Sequence, residues 1–190
     1  MTAWLFAAGQ MLGLGTSAGI RPSLTVAVIG VVAGLGWGAG LNAQFDFLDH
    51  WLVIVVLVVL AIFESSFDKI PRVDRLQGRL TMPYRVVMGG VAGASTVQYG
   101  WTGVVIGAVL GGVAAWCALY TKQVTRPRTV PSDAALTLIS LWEDLATFGG
   151  SVLSLLFAPV GYGVAGFTGL MYWQHRRRRR AKYLRLRRGA

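Results

Sequence analysis

Four acidic and two basic side chains lie inside or at the borders of apolar runs, and they are the residues whose types could do chemistry. Glu64 follows the run Trp51–Phe63, in which the indole N–H is the one polar side-chain group. Asp68 comes four residues later, so both carboxylates share a helix face if the helix continues. Glu143 and Asp144 stand inside the apolar block 134–157. A carboxylate at bilayer depth costs roughly 2.5–3.5 kcal/mol even on the mildest scale. A chain keeps one there when it faces a partner or a water-filled path. Arg21 and Lys122 are the candidate partners. Ser65 and Ser66 add hydroxyls beside Glu64, and serine and carboxylate oxygens together can line a hydrated cation or proton site. The competing reading is that each charge sits at an interface and snorkels. It suits Asp68, Arg21 and Lys122 well, Glu64 as well as the functional reading does, and Glu143 and Asp144 less well.

Other chemistries find little support. Gly15-Thr16-Ser17-Ala18-Gly19 matches the G-x-S-x-G nucleophile elbow, but that motif works on a strand-to-helix turn with a histidine nearby. Here it ends a hydrophobic segment, and the histidines are His50 and His175. Gly15 and Gly19 are better read as letting the helix unwind or pack closely, with Thr16 and Ser17 satisfying freed carbonyls. No G-x-x-x-x-G-K-[ST] phosphate loop occurs. Cys117 is the single cysteine, and no His or Cys pair has metal-ligand spacing. We expect no enzyme, no metal and no cofactor.

These residues must be positioned by membrane-embedded elements. The 190 residues are 54% hydrophobic and 14% charged, against about 25% charged in a soluble domain. The apolar residues come in blocks, which read as hydrophobic segments at about 3–20, 22–40, 51–66, 84–98, 101–121, 134–149 and 151–173. The expected fold is all-α, a polytopic transmembrane helical bundle with short helices, some broken or re-entrant. The loop 41–50 holds Asp46 and Asp49 and no Lys or Arg, whereas 67–85 and 121–133 are basic. The positive-inside rule puts the two basic loops in the cytoplasm of a cell inner-membrane protein, with the N-terminus outside and the C-terminus inside. The link at Arg21 then also falls inside. No positive n-region precedes the first segment, which should remain in the mature chain.

Of the net charge of +10, nine positive charges come from residues 176–190. The chain therefore divides into a transmembrane helical domain, 1–175, and a basic cytoplasmic tail, 176–190. Arg176, Arg177, Arg178, Arg179 and Arg180 follow Tyr172 and Trp173, an interfacial aromatic pair, so anionic lipid headgroups are the expected partner rather than nucleic acid. Glycine carries the packing signal. Gly30/Gly34/Gly38, Gly103/Gly107/Gly111, Gly89/Gly93 and Gly161/Ala165/Gly169 are small-xxx-small stripes that let backbones approach closely. A homodimer through one of them is a reasonable expectation. The pairs Arg21-Pro22 and Arg126-Pro127, each followed by an acid (Glu64, Glu143), hint at an internal repeat of the kind found in transporters.

The stretch Phe63-Glu64-Ser65-Ser66-Phe67-Asp68-Lys69-Ile70-Pro71-Arg72-Val73-Asp74 resembles the signature of a bacterial membrane family, domain of unknown function 4126. Members carry a similar Glu near a helix end followed by Asp-Lys-Ile-Pro-x-x-Asp. Gly19-Ile20-Arg21-Pro22 resembles an early Ala-Gly-Leu-Arg-Ala-type block, with Pro22 as a departure, and Leu141-Trp142-Glu143-Asp144 a late Leu-Glu-Asp-type block. Met82-Pro83-Tyr84-Arg85 stands where members often read Arg-Pro. The resemblance spans most of the chain and implies a polytopic bacterial fold, without an activity. Physically, Asp68-Lys69-Ile70-Pro71 is a helix exit, since Pro71 cannot continue a helix.

From the residues we expect a small secondary transporter or channel for an ion or small polar solute. Breaks near Gly15–Arg21 and Ser65–Pro71 would shape the path. Glu64, Ser65, Asp68, Glu143 and Asp144 would bind the permeant species, and Arg21 would hold an anionic group or neutralise a carboxylate. The alternative is a non-catalytic lipid-binding or assembly scaffold, gripping anionic lipid with its tail and docking a partner on its glycine stripes.

Overall fold

Uncharged apolar runs punctuated by proline and glycine become helices that reverse direction at each punctuation mark. A computed structural model describes residues 2–37, 40–67, 81–125 and 133–188, and among them every regular element is a helix. In chain order these are α1 (Thr2–Ile20), α2 (Pro22–Gly34), a 3-10 turn (Ala43–Asp49), α3 (Trp51–Phe67), α4 (Met82–Ser95), α5 (Gly100–Thr125), α6 (Asp133–Leu156) and α7 (Ala158–Arg188). Pro22 opens α2 at a position whose N–H needs no helical partner. Gly36, at φ +68°, ends the same helix short of the expected residue 40. The loop expected at 41–50 contains the 3-10 turn, capped by the Asn42 side chain accepting from Gln44 N.

One expected boundary is corrected. Gly149 and Gly150 do not separate two segments, because α6 runs through them and ends at Leu156. The break falls at Phe157, with Pro159 in the first turn of α7. The basic run continues α7, which extends to Arg188. Asp68, the Lys69–Asp74 exit and Arg126-Pro127 lie outside the described residues.

Contacts fix the directions. α1 descends from one end of the molecule to the other, and α2 returns beside it. The next helices alternate, so the acid-bearing end of α3, the start of α4 and the end of α5 meet at the same end as Arg21. The opposite end carries Asp46 and Asp49 in the 3-10 turn. There Asn42 donates from Nδ2 to Val97 O (2.6 Å), Gln98 donates to Gly40 O (3.2 Å), and Trp4 stacks on Tyr99 at 4.0 Å. The apolar core, with Leu14, Val26, Ile29, Leu57 and Leu155, lies between the two ends.

Gly100–Val124 is long and apolar enough to cross a membrane, and Ala43–Asp49 with Trp51–Phe67 passes the same test as one span bent by 69°. With the shorter apolar helix Pro22–Gly34 beside them, these features point to a membrane protein. The glycine stripes of α4 and α5 are used against each other inside the chain. A Cβ on Gly107 would come within 2.8 Å of Ala94 Cα, and one on Gly111 would strike the Gly89 carbonyl. Those two stripes are therefore not free to join a second copy.

Candidate functional site

α1 must end where Arg21 and Pro22 turn the chain, and its last carbonyls need donors. Three cations on three elements converge there. Arg85, early in α4, donates from Nη1 to Gly19 O (3.4 Å) and to Ile20 O. Lys122, near the end of α5, donates from Nζ to Ile20 O at 3.4 Å. Positive charge at a helix C-terminus also complements the macrodipole. Arg21 itself extends across to α6, where Nη2 donates to Ser140 Oγ at 2.7 Å.

Each cation carries an acid from another element. Arg21 Nε lies 2.6 Å from Asp144 Oδ1, Arg85 Nη2 lies 2.9 Å from Glu64 Oε1, and Lys122 Nζ lies 3.0 Å from Glu143 Oε2. Ser65 Oγ donates to both oxygens of Asp144, at 3.3 and 3.2 Å. Arg21 and Arg85 are 1% and 2% exposed and Glu64 is 8%, whereas Asp144 is 26% exposed. Asp144 is thus the acid of the cluster most open to its surroundings. Ser23 and Tyr84 share a hydrogen bond of 2.8 Å alongside. Three acids and three bases cancel, so the cluster is a closed neutral knot and not a set of bare carboxylates.

Above the knot runs a polar seam. On α6, Ser140, Asp144, Thr147, Ser151 and Ser154 recur at spacings of 4, 3, 4 and 3. At about 100° per residue they fall within roughly 80° of one another. This face is turned inward: Ser140, Thr147, Ser151 and Ser154 are all buried. The opposite face is apolar and exposed, with Leu138, Leu141, Trp142, Leu145 and Phe148. α6 is therefore inside out relative to a helix of a water-soluble bundle. α1 faces the seam antiparallel. Arg21 meets Ser140 and Asp144, Ser17 Oγ lies opposite Gly150, Gly13 packs on Ser154, and Gln10 donates to Leu155 O at 2.9 Å. From α2, Thr25 accepts from Ser151 at 3.4 Å.

Of the residues expected at a site, Arg21, Glu64, Ser65, Glu143 and Asp144 are brought together, with Lys122 as partner. Arg85 does not stand out in the sequence as a site residue, because its place in a basic loop accounts for it. The signal was there: a cation in the first turn of a helix opposes the macrodipole and calls for a partner. The G-x-S-x-G stretch stays helical. Thr16 donates to Leu12 O at 2.7 Å, and Gly15 and Gly19 lie against Gly111 and Ala115 of α5. Close packing is the part of that expectation realised, and the break is confined to Arg21. Among the described residues no group of three or more His, Cys, Asp or Glu could hold a metal ion. In the basic run, Arg176, Arg177 and Arg178 are exposed and Arg177 stacks over Trp173 at 3.8 Å.

Comparison with known proteins gives one result. The family model for a domain of unknown function (DUF4126) matches residues 8–177. Neither the curated proteins nor the solved structures gave a match.

Proposed function

The chain belongs to the DUF4126 family, and from that premise, which brings no activity with it, we propose that it is a small multi-pass membrane transporter or channel for an ion or small polar solute. The observation that carries the reading is α6. Its hydroxyls and Asp144 face the protein interior while its leucines and aromatics face outward. Outward apolar faces suit lipid as the surrounding solvent, because a soluble bundle hides them from water. The same holds for α3, where Trp51, Leu52, Val55, Val56, Val59, Ile62 and Phe63 are exposed and Glu64 is buried. In this reading the alternating helices cross the membrane, and the basic loops and tail put the charged end in the cytoplasm. The seam is the path, and the ion-pair knot at the α1–α2 break is its gate. A buried pair whose partners sit on different helices can hold two arrangements, one closed and one with the pair exchanged for water or substrate.

The test is reconstitution into liposomes, with release of protons, potassium, chloride and glycerol followed in parallel. The expected result is flux of at least one probe above empty vesicles, lost in Asp144→Asn while that variant remains folded and monodisperse. Wild-type vesicles that release none of the four, or an Asp144→Asn protein that conducts as wild type does, would overturn the reading.

The scaffold reading has one observation in its favour, the helix that carries Arg176, Arg177 and Arg178 outward as an extension of α7. Removal of residues 176–190 discriminates. A transporter keeps its flux in liposomes, whereas a lipid-tethered scaffold loses its binding to vesicles containing anionic lipid.

A further inference from the structure

The seam on α6 is more polar than packing requires. Leucine, valine or alanine at 147, 151 and 154 would fill the α1–α6 contact without burying a hydroxyl. Hydroxyls between membrane helices can serve as interhelical glue, and the Ser151–Thr25 hydrogen bond is of that kind. Thr147 and Ser154 are not. They are 1% and 0% exposed, and neither Thr147 Oγ1 nor Ser154 Oγ has a hydrogen-bond partner in the protein. Buried polar atoms are satisfied in the great majority of cases. A hydroxyl left unpaired costs about 1–3 kcal/mol, so two on one face point to a ligand that pairs with them. Water is that ligand by size and chemistry, because a hydroxyl offers it one donor and two acceptor sites.

Resting on the transport reading above, we propose that the seam is a proton path, entered at Asp144 and running past Thr147, Ser151 and Ser154 toward Gln10. The span from residue 144 to residue 154 is about 15 Å at 1.5 Å per residue, half of a hydrocarbon core of about 30 Å. The α1–α6 contact is close, which argues against a pore wide enough for a hydrated ion. Gly13 packs directly on Ser154, and Ser17 Oγ lies 3.2 Å from where a Gly150 Cβ would stand. The mouth selects by charge as well. The Arg21 guanidinium repels cations, and the Asp144 carboxylate repels anions. A proton alone can pass by being handed on, since no charged body has to move past either group.

The step balances without a further reactant. Hydronium at the charged end gives a proton to an Asp144 oxygen, whose lone pair forms the new O–H bond, and leaves as water. The Arg21–Asp144 pair loosens as the carboxylate is neutralised, while the Ser140 contact keeps Arg21 in place. Asp144 then releases the proton to the next oxygen. Each water or hydroxyl accepts one proton on a lone pair and gives up another from its own O–H bond. Hydronium forms again at the far end, so one proton has crossed and every side chain ends as it began.

The experiment compares the full chain with Thr147→Val, Ser151→Ala, Ser154→Ala combined, and with Thr147→Val alone, in liposomes loaded with a pH-sensitive dye under a potassium diffusion potential. The combined variant is expected to lose about ten-fold or more in proton flux, equivalent to ~1.4 kcal/mol on the barrier, and Thr147→Val a smaller part of it. Thermal melting in detergent checks that both remain folded, and the single variant serves if the combined one does not. Proton flux at the wild-type rate in a folded variant sinks the proton path but leaves the transport reading standing. So does a wild-type protein that releases potassium, chloride or glycerol and no protons. Absence of all four fluxes sinks both.

Discussion

Two interfaces run the length of this bundle, and they are built on opposite principles. Between α4 and α5, glycines meet glycines: Gly89 and Gly93 lie on Gly107 and Gly111 with backbone against backbone. Only small groups such as the Ala115 methyl stand beside them, and close approach is the source of attraction there. Between α6 and the α1–α2 hairpin the small residues are serines and threonines, and Arg21 with Asp144 closes one end. Both solutions let helices approach closely. One leaves nothing polar to satisfy, while the other keeps hydroxyls that the fold alone does not need. The first interface is a structural weld, and the second is where function is to be sought.

The largest effect should come from forcing the weld apart. Gly111→Leu puts a side chain into the Gly89 carbonyl, and neither backbone can retreat without disturbing α1, whose Gly15 rests on the same residue. Overpacking that side chains absorb costs about 1–3 kcal/mol, and here two backbones must move, so the loss should exceed the one expected at the knot. The expected outcome is little or no monodisperse protein by size-exclusion chromatography in detergent. A folded Gly111→Leu protein with an unchanged melting temperature would mean that the α4–α5 contact is looser than described. Next in size is the knot. Glu64→Gln leaves Arg85 as a buried charge without its acid, which should destabilise by about 3–5 kcal/mol. Glu64→Leu combined with Arg85→Met removes both charges and should recover more than half of that loss in a denaturant titration. If the double variant is worse than the single, Arg85 matters mainly as the donor to the Gly19 and Ile20 carbonyls.

Much of this arrangement was legible in the sequence, for a physical reason. Charges inside apolar runs are expensive, so Arg21, Glu64, Glu143 and Asp144 announced themselves, and all four meet at one end. Which acid takes which base was not legible, because pairing depends on helix rotation and tilt. Arg85 escaped notice because the charge pattern of its loop gave a sufficient local account of it. The glycine stripes of α4 and α5 read correctly as packing surfaces, whereas Gly169 of the last stripe faces open space, and spacing alone does not say whether the other surface belongs to the same chain. Gly149-Gly150 looked like a break and is helical, with Ser17 against Gly150. Pro159, two residues into α7, was the better punctuation mark. The inward polar face of α6 was readable as a 4-3-4-3 pattern of Ser, Asp, Thr, Ser and Ser. Its direction was not, because an amphipathic helix in lipid and one in water share the same periodicity.

The smallest expected effect sharpens the contrast most. Thr147→Val keeps the shape of the side chain and removes a buried hydroxyl that has no partner in the protein. Were the seam a second weld, this change would destabilise, as loss of an interhelical hydrogen bond does. If the hydroxyl is retained for water, no bond between protein groups is lost on its removal, and stability should stay within about 1 kcal/mol of wild type. Ser154→Ala should behave in the same way, whereas Ser151→Ala, which gives up the bond to Thr25, should lose a few tenths to about 1 kcal/mol. Melting temperatures of the three single variants, measured in one detergent, give the comparison. A marked fall for Thr147→Val or Ser154→Ala would show those hydroxyls to be glue, and the two interfaces would then differ in chemistry but not in purpose.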